Sequence, residues 1–420
     1  MRTRLPCLLT LAALLASCAA APRSFTFARP GGPPVPVTEA VAYTPERGYG
    51  FEGAAGLQVA GGAAQSERPF FFSAVVPEGN HRVTVTLGGP RASATTVKAE
   101  LRRLMLESVP AGAGGSVVRS FIVNVRRPAI MGGGAVRLKA PRESEQEAVA
   151  WDDRITLEFN GRSPAVRSIA IAPVTVPTIY LLGDSTITDQ SGEPYASWGQ
   201  MLPAFFTPTV AVANHGESGE SVAAANDRGR FAKIMSLIKP GDVFVVQFGH
   251  NDMKEMARDP GAPAKYRDGL VAWARAVKAM GASAVIVTPM NRHSFRDGSL
   301  VDSLAPYPQM AREAARESGA VLIDLNVGSK LLYEALGETP ALALFKHNAD
   351  GSGRDATHHS PYGAYQLAKI VVEGLRGSGL PIARAIRPDL PRFDPARPDA
   401  LAAVAIPPSP TYTDQRPLGD

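Results

Sequence analysis

Ser185 stands in Leu181-Leu182-Gly183-Asp184-Ser185-Thr186, directly after an aliphatic run, and an acyl-transfer site can be assembled around it. A serine hydroxyl is a weak nucleophile until a base takes its proton. His358, in Asp355-Ala356-Thr357-His358-His359-Ser360, supplies the imidazole, and Asp355 supplies an acceptor for the second ring nitrogen. One short loop then carries both base and orienting carboxylate. A tetrahedral oxyanion needs donors. The backbone N–H of Ser185, the N–H of Gly219 and the side-chain amide of Asn251 are of the right kind. Gly219 suits the role because a residue without Cβ lets its amide approach a substrate oxygen closely.

Other polar residues lie near these. His359 rivals His358, but the Asp-x-x-His spacing favours His358 and leaves His359 facing a helix start or solvent. His250 is either a ligand-facing residue or a polar core residue. His215 reads as structural, Asp184 as a loop-stabilising cap, and Asp252 and Glu217 as surface groups or groups backing the site. Asp152 and Asp153, after Trp151, read as a solvated strand end rather than a cation site. The histidines do not sit at ligand spacing, so neither a metal nor a cofactor is expected.

These clusters need a scaffold that brings distant residues together. Strand-like runs at 178–182, 209–214, 242–248, 283–288 and 320–325 alternate with helical patterns. That alternation predicts βαβ units and a parallel sheet covered on both sides, with all strand ends opening on one edge. Gly183 lets the chain turn sharply there and offers the Ser185 hydroxyl to solvent. Ser197 to Phe206 reads as an amphipathic segment. A helix near 263–280 puts Tyr266, Leu270, Trp273, Val277 and Met280 on one face, and a last helix runs from about Pro361 to Leu375. Beyond Ile386 the chain is Pro-rich and irregular.

Residues 24 to about 172 read as all-β, with short strands at 24–27, 70–76, 81–87, 117–125, 136–139, 155–159 and 166–171. Their spacing suggests a sandwich or jelly roll. The expected organisation is a leader over 1–21, a β-sandwich accessory domain over 22–172 that grips glycan, a catalytic domain over 178–385 and a tail over 386–420. The leader has Arg2 and Arg4, an apolar core at 8–15, and Leu15-Ala16-Ser17-Cys18, which resembles a bacterial lipobox. An exported protein anchored by a lipid on Cys18, periplasmic or at the cell surface, is expected; ordinary secretion is the alternative. Both cysteines of the chain, Cys7 and Cys18, fall in this leader, which excludes an internal disulfide and a cysteine nucleophile. The net charge of +5 is scattered, so a nucleic-acid partner is not expected, whereas a polyanionic substrate is compatible.

The four blocks around Ser185, Gly219, Asn251 and His358, in that order, resemble those of the SGNH (GDSL-type) hydrolases. The resemblance covers about 178–376. It implies a flavodoxin-like three-layer α/β/α fold with a five-stranded parallel sheet. It also implies Ser185 as nucleophile, His358 as base, Asp355 as its partner, and an oxyanion hole of Ser185, Gly219 and Asn251. Gly183-Asp184-Ser185-Thr186, Gln247-Phe248-Gly249-His250-Asn251-Asp252 and Asp355-x-Thr357-His358 are similar to the rhamnogalacturonan acetylesterases. That group implies removal of acetyl from a plant polysaccharide of the pectin type, with xylan or another ester of the superfamily as alternatives. A glycan-binding surface lipoprotein is the reading outside enzymes. Two departures stand out. Glu220 replaces an Arg frequent in the family, which bears on substrate recognition along with His250, and Gly216 replaces a common Ala.

Overall fold

The structure, a computed structural model, describes residues 22–28, 34–52, 56–348 and 350–410. The leader with Cys7 and Cys18, and the last ten residues of the tail, lie outside the described residues.

Strands Thr178–Gly183, Ala211–Asn214, Val243–Gln247, Ser283–Val287 and Val321–Ile323 pair in parallel. In space the second strand lies outside the first, and the third, fourth and fifth follow on the other side, the flavodoxin-like order. Alternate side chains feed two apolar layers. Ile179, Leu181, Val243, Val245, Val285 and Val287 pack with Trp198, Leu202, Leu367 and Val371. Tyr180, Leu182, Phe244, Val246 and Ile286 pack with Leu270, Trp273 and Ala311. Burial on both faces is why these strands are almost uniformly apolar. The strand order reverses at the first strand, which opens a crevice at its carboxyl end. The Ser185, Gly219 and Asn251 segments follow the three strands that meet there.

The helix Ala262–Ala279 buries Tyr266, Leu270, Trp273 and Val277. Met280, expected on the same face, follows the helix end and is 44% exposed. The helix Pro361–Gly377 starts where the Ser360 hydroxyl accepts from Gly363 N–H, with Pro361 in its first turn. Its Tyr365 and Leu367 belong to the first apolar layer. The stretch 197–206 is not amphipathic. It forms a short helix, Trp198–Met201, and a 3₁₀ turn, Leu202–Phe205, buried on all sides. The N-terminal half covers its outer side, and Gln200 Nε2 donates to Leu101 O at 2.9 Å.

That half is a sandwich of two mainly antiparallel sheets. One runs Val117–Val125, Gly79–Leu87, Ala165–Pro173, Arg23–Thr26 and Val35–Pro36, with Ala63–Gln65 and Gln58–Ala60 attached. The other runs Tyr49–Glu52, Phe70–Val75, Arg154–Arg162, Ser93–Ala99 and Arg103–Ala111. Phe25, Phe51, Phe70, Phe72, Val85, Leu157 and Phe159 fill the space between them. Residues 136–139, expected as a strand, are none: the segment from 128 to 151 leaves the sandwich, and Val136, Ala150 and Trp151 pack with Leu101 instead. The C-terminal stretch up to 410 is irregular but not loose. Asp399 accepts from Gln366 and Lys369 of the last helix, and Ser409 bonds Lys98 and Glu158 of the sandwich.

Candidate active site

Asp355, His358 and Ser185 form one line of hydrogen bonds. Asp355 Oδ1 accepts from the N–H of Thr357 at 2.8 Å and of His358 at 2.9 Å, which folds the loop into a turn around the carboxylate. Asp355 Oδ2 lies 2.9 Å from His358 Nδ1, and His358 Nε2 lies 2.7 Å from Ser185 Oγ. With Nδ1–H donating to the carboxylate, Nε2 is left to accept the serine proton. Ser185 is 2% exposed and His358 1%, so the hydroxyl is enclosed rather than offered to solvent as the sequence suggested. The Tyr195 ring stands edge-on to His358 at 5.8 Å. Asp184 stabilises the corner by accepting from Thr186 N–H and Oγ1. Gly183 serves close packing rather than a sharp turn: a Cβ there would lie 2.3 Å from Gln247 O and 2.4 Å from Ile187 Cγ2.

Gly219 adopts φ +74°, a left-handed conformation that favours glycine. Among the described residues, neither the Ser185 nor the Gly219 backbone N–H has a hydrogen-bond partner. Asn251 Nδ2 donates one hydrogen to Glu220 O at 3.1 Å, a contact across 31 residues rather than a local turn bond. The amide has a second hydrogen to give. Asp252 Oδ1 accepts from Val222 N–H at 2.9 Å, so two side chains tie this block to the Gly219 block.

Glu220, expected to touch substrate, is turned into the protein instead. Its side chain is fully buried, with Lys139 Nζ at 2.8 Å, Arg228 Nε at 3.2 Å and Arg230 Nη2 at 3.6 Å from Oε1. The departure from Arg at this position is thus met by cations, one of them from the N-terminal half. Gly216 also has a local reason: a Cβ there would lie 2.9 Å from Ile187 Cγ2.

The remaining histidines fall into place. His359 is buried rather than facing solvent, with Nε2 2.8 Å from Tyr333 Oη. Burial, and then the neighbouring His358, push its pKa down to about 3, so it stays neutral. His215 is enclosed between Trp151 and Tyr180, and burial with nearby Arg126 drives its pKa well down. His250 is 1% exposed, its Nδ1 3.6 Å from Asp184 Oδ2. Burial alone would raise the Asp184 carboxyl, but the His250 ring and Thr186 hold it below its ordinary value. Glu217 and Asp252 are buried, not surface groups, and burial pushes both up to about 8. Asp152 pairs with Arg154 at 2.9 Å and is largely buried rather than solvated, which raises its carboxyl, whereas Asp153 is exposed and pairs with Arg127 at 3.1 Å. Among the described residues no three His, Cys, Asp or Glu side chains are grouped to hold a metal.

Several residues that build the site carry no motif. The loop between Ser185 and Tyr195 is clamped by the sandwich turn at Leu101 to Arg103. Arg102 Nη1 donates to Gln190 O and Tyr195 O, both at 3.0 Å, and Arg102 also pairs with Glu193. Arg103 Nε lies 3.0 Å from Asp189 Oδ2, whose other oxygen accepts from Asn214 at 2.9 Å. Gln190 Nε2 in turn donates to Ser185 O. The sequence shows only two consecutive arginines there; their burial, which demands partners, is visible in the fold alone.

Residues 181–366 match the GDSL-like lipase/acylhydrolase family. The rhamnogalacturonan acetylesterase RhgT of Bacillus subtilis is 35% identical over 214 residues, 49% of this chain and 91% of that protein. A rhamnogalacturonan acetylesterase of Emericella nidulans is 23% identical over 241 residues, 52% of this chain and 93% of that one. The solved structure of the Bacillus subtilis protein YxiM is 25% identical, covers 86% of this chain and 99% of its own, and superposes with a TM-score of 0.47. The chain belongs to the GDSL-like lipase/acylhydrolase family. It is a carboxylic ester hydrolase with an SGNH-type α/β half and a strand-rich N-terminal half.

Proposed function

We propose that this protein is a serine acetylesterase that removes acetyl groups from a plant cell-wall polysaccharide, rhamnogalacturonan first among them. The observation that carries the reading is the unbroken line Asp355–His358–Ser185, closed by bonds of 2.9 and 2.7 Å. Ser185 Oγ attacks the acetyl carbonyl carbon as His358 Nε2 takes its proton. The oxyanion is met by the free N–H groups of Ser185 and Gly219 and by the second hydrogen of Asn251. His358 returns the proton to the departing sugar oxygen, leaving acetyl-Ser185. A water molecule, deprotonated by the same imidazole, then releases acetate. Asp355 keeps the ring oriented and stabilises its positive charge in each half.

The burial of Ser185 beside Asp184, Thr186 and Gln190, all buried polar groups, suits a small acyl group better than a long chain. The relatives named for rhamnogalacturonan, together with the net charge of +5, favour an acidic glycan. On this reading 178–385 is the catalytic unit and 22–172 an accessory unit. Residues 1–21 form the export leader region, with cleavage before Cys18 that leaves this residue lipidated at the periplasmic face or cell surface.

Acetate release by the full-length protein from acetylated rhamnogalacturonan, xylan and mannan tests the proposal. Fastest release from rhamnogalacturonan is expected. Faster release from xylan would reassign the substrate. No release from any polymer, with no hydrolysis of p-nitrophenyl acetate, would overturn the acetylesterase reading.

A further inference from the structure

We propose that Lys139, which lies in the N-terminal half and outside the family match, is a positioning residue for the oxyanion hole, acting through the Ser218–Gly219 peptide. The inference rests on the reading above, in which the Gly219 N–H binds the oxyanion. Lys139 Nζ donates to Ser218 O. That carbonyl and the Gly219 N–H belong to one planar peptide unit, so a contact that fixes the oxygen fixes the direction of the N–H. Gly219, at φ +74°, has no side chain to restrain it, and a peptide next to such a glycine reorients easily unless held from outside. An ammonium on the carbonyl oxygen also draws electron density from the amide and makes its N–H a stronger donor.

The lysine is itself held. Lys139 N–H donates to Glu143 Oε2 at 2.8 Å, Lys139 O accepts from Glu143 N–H at 2.7 Å, and Glu143 is paired with Arg230 Nη2 at 2.6 Å. From the same segment, Arg142 Nη2 donates to the Ser218 hydroxyl at 3.2 Å. Lys139 also faces Glu220 at 2.8 Å, but Glu220 keeps Arg228 at 3.2 Å and Arg230 at 3.6 Å without it. Neutralising Glu220 therefore does not account for a lysine whose ammonium reaches the Ser218 carbonyl. A segment outside the matched 181–366 thus completes the geometry of a donor inside it.

The test is steady-state hydrolysis of p-nitrophenyl acetate by full-length Lys139→Met, Lys139→Arg and the double variant Lys139→Met/Glu220→Gln. Lys139→Met is expected to lower kcat ~10–100-fold with KM within about twofold, because a donor aimed at the oxyanion acts mainly in the transition state. Lys139→Arg should recover most of kcat. The double variant also removes the Glu220 carboxylate, so it separates loss of the contact to the Ser218 carbonyl from loss of a counter-ion to Glu220. It should remain as slow, because the Ser218 carbonyl is still unheld. A double variant with kcat within about twofold of wild type would overturn the proposal and leave Lys139 as a counter-ion of Glu220. If Ser185→Ala is inactive while the Lys139 variants turn over normally, only this inference falls. Full activity in Ser185→Ala would remove the reading beneath it.

Discussion

Arg103→Met would test whether the sandwich holds the loop that follows the nucleophile. Arg103 is 1% exposed, its Nε is 3.0 Å from Asp189 Oδ2, and its Nη1 donates to Asn124 O at 3.1 Å. Burial raises the Asp189 carboxyl, with Arg103 and then Arg126 opposing that rise. At the 3.0 Å separation and an effective dielectric of about 20, Coulomb's law gives roughly 5 kcal/mol for the pair. Taking one partner from a buried pair costs about 3–5 kcal/mol, because the other charge is left in the interior. Arg126, 4.0 Å away, and Asn214, 2.9 Å away, remain to Asp189, which places the expectation at the lower end of that range. Urea unfolding of the full-length variant should show a lower midpoint at unchanged slope. The double variant Arg103→Met/Asp189→Asn should regain part of the loss, since Asp189 is no longer left charged, although Arg126 then loses the carboxylate 4.0 Å away. A single variant destabilised by less than about 1 kcal/mol, or a double variant no better than the single, would refute the clamp as a buried ion pair.

Three further outcomes are expected. His358→Ala should lower kcat by ~10³ or more while His359→Ala costs far less, and the acid limb of the pH–rate profile should follow a single group, because His359 is held neutral; an inactive His359→Ala that remains folded would contradict this. Asn251→Ala should lower kcat by ~10²–10³ with little change in KM; wild-type turnover in a stable variant would remove it from the oxyanion hole. Glu217 has its pKa raised by burial from 4.5 to about 8, so the folded protein keeps a proton that the unfolded chain releases, and stability falls as pH rises across that window. Glu217→Gln should flatten this slope in urea titrations run across that pH range, and an unchanged slope would show that the carboxyl is already ionised in the fold.

The α/β half is legible because its signals are local. Val243 to Val246 is apolar on both parities, as a strand covered on both faces must be, and Ser360-Pro361 announces a helix start. The blocks of the candidate site are legible for the same reason, since three of them follow strands of the sheet and the fourth precedes the last helix. What escapes is set by contacts across the chain. Ser93–Ala99 and Arg103–Ala111 pair through a turn at Glu100 to Arg102, where Glu100 and Arg102 take φ of 55° and 62° without a glycine to mark it. Trp198 to Phe205 reads as amphipathic alone, and its outer side is buried because the sandwich covers it. Glu220 looks like a substrate contact until Lys139, 81 positions earlier, lies 2.8 Å from it.

The central claim is that Ser185 forms the acyl-enzyme with His358 as its base. A serine-reactive p-nitrophenyl phosphonate, followed by digestion and peptide mass spectrometry, tests it most directly. The account predicts one label per chain, on Ser185, with activity lost in proportion to labelling, no label in Ser185→Ala and greatly slowed labelling in His358→Ala. Labelling at another residue, or activity that survives complete labelling of Ser185, would contradict it.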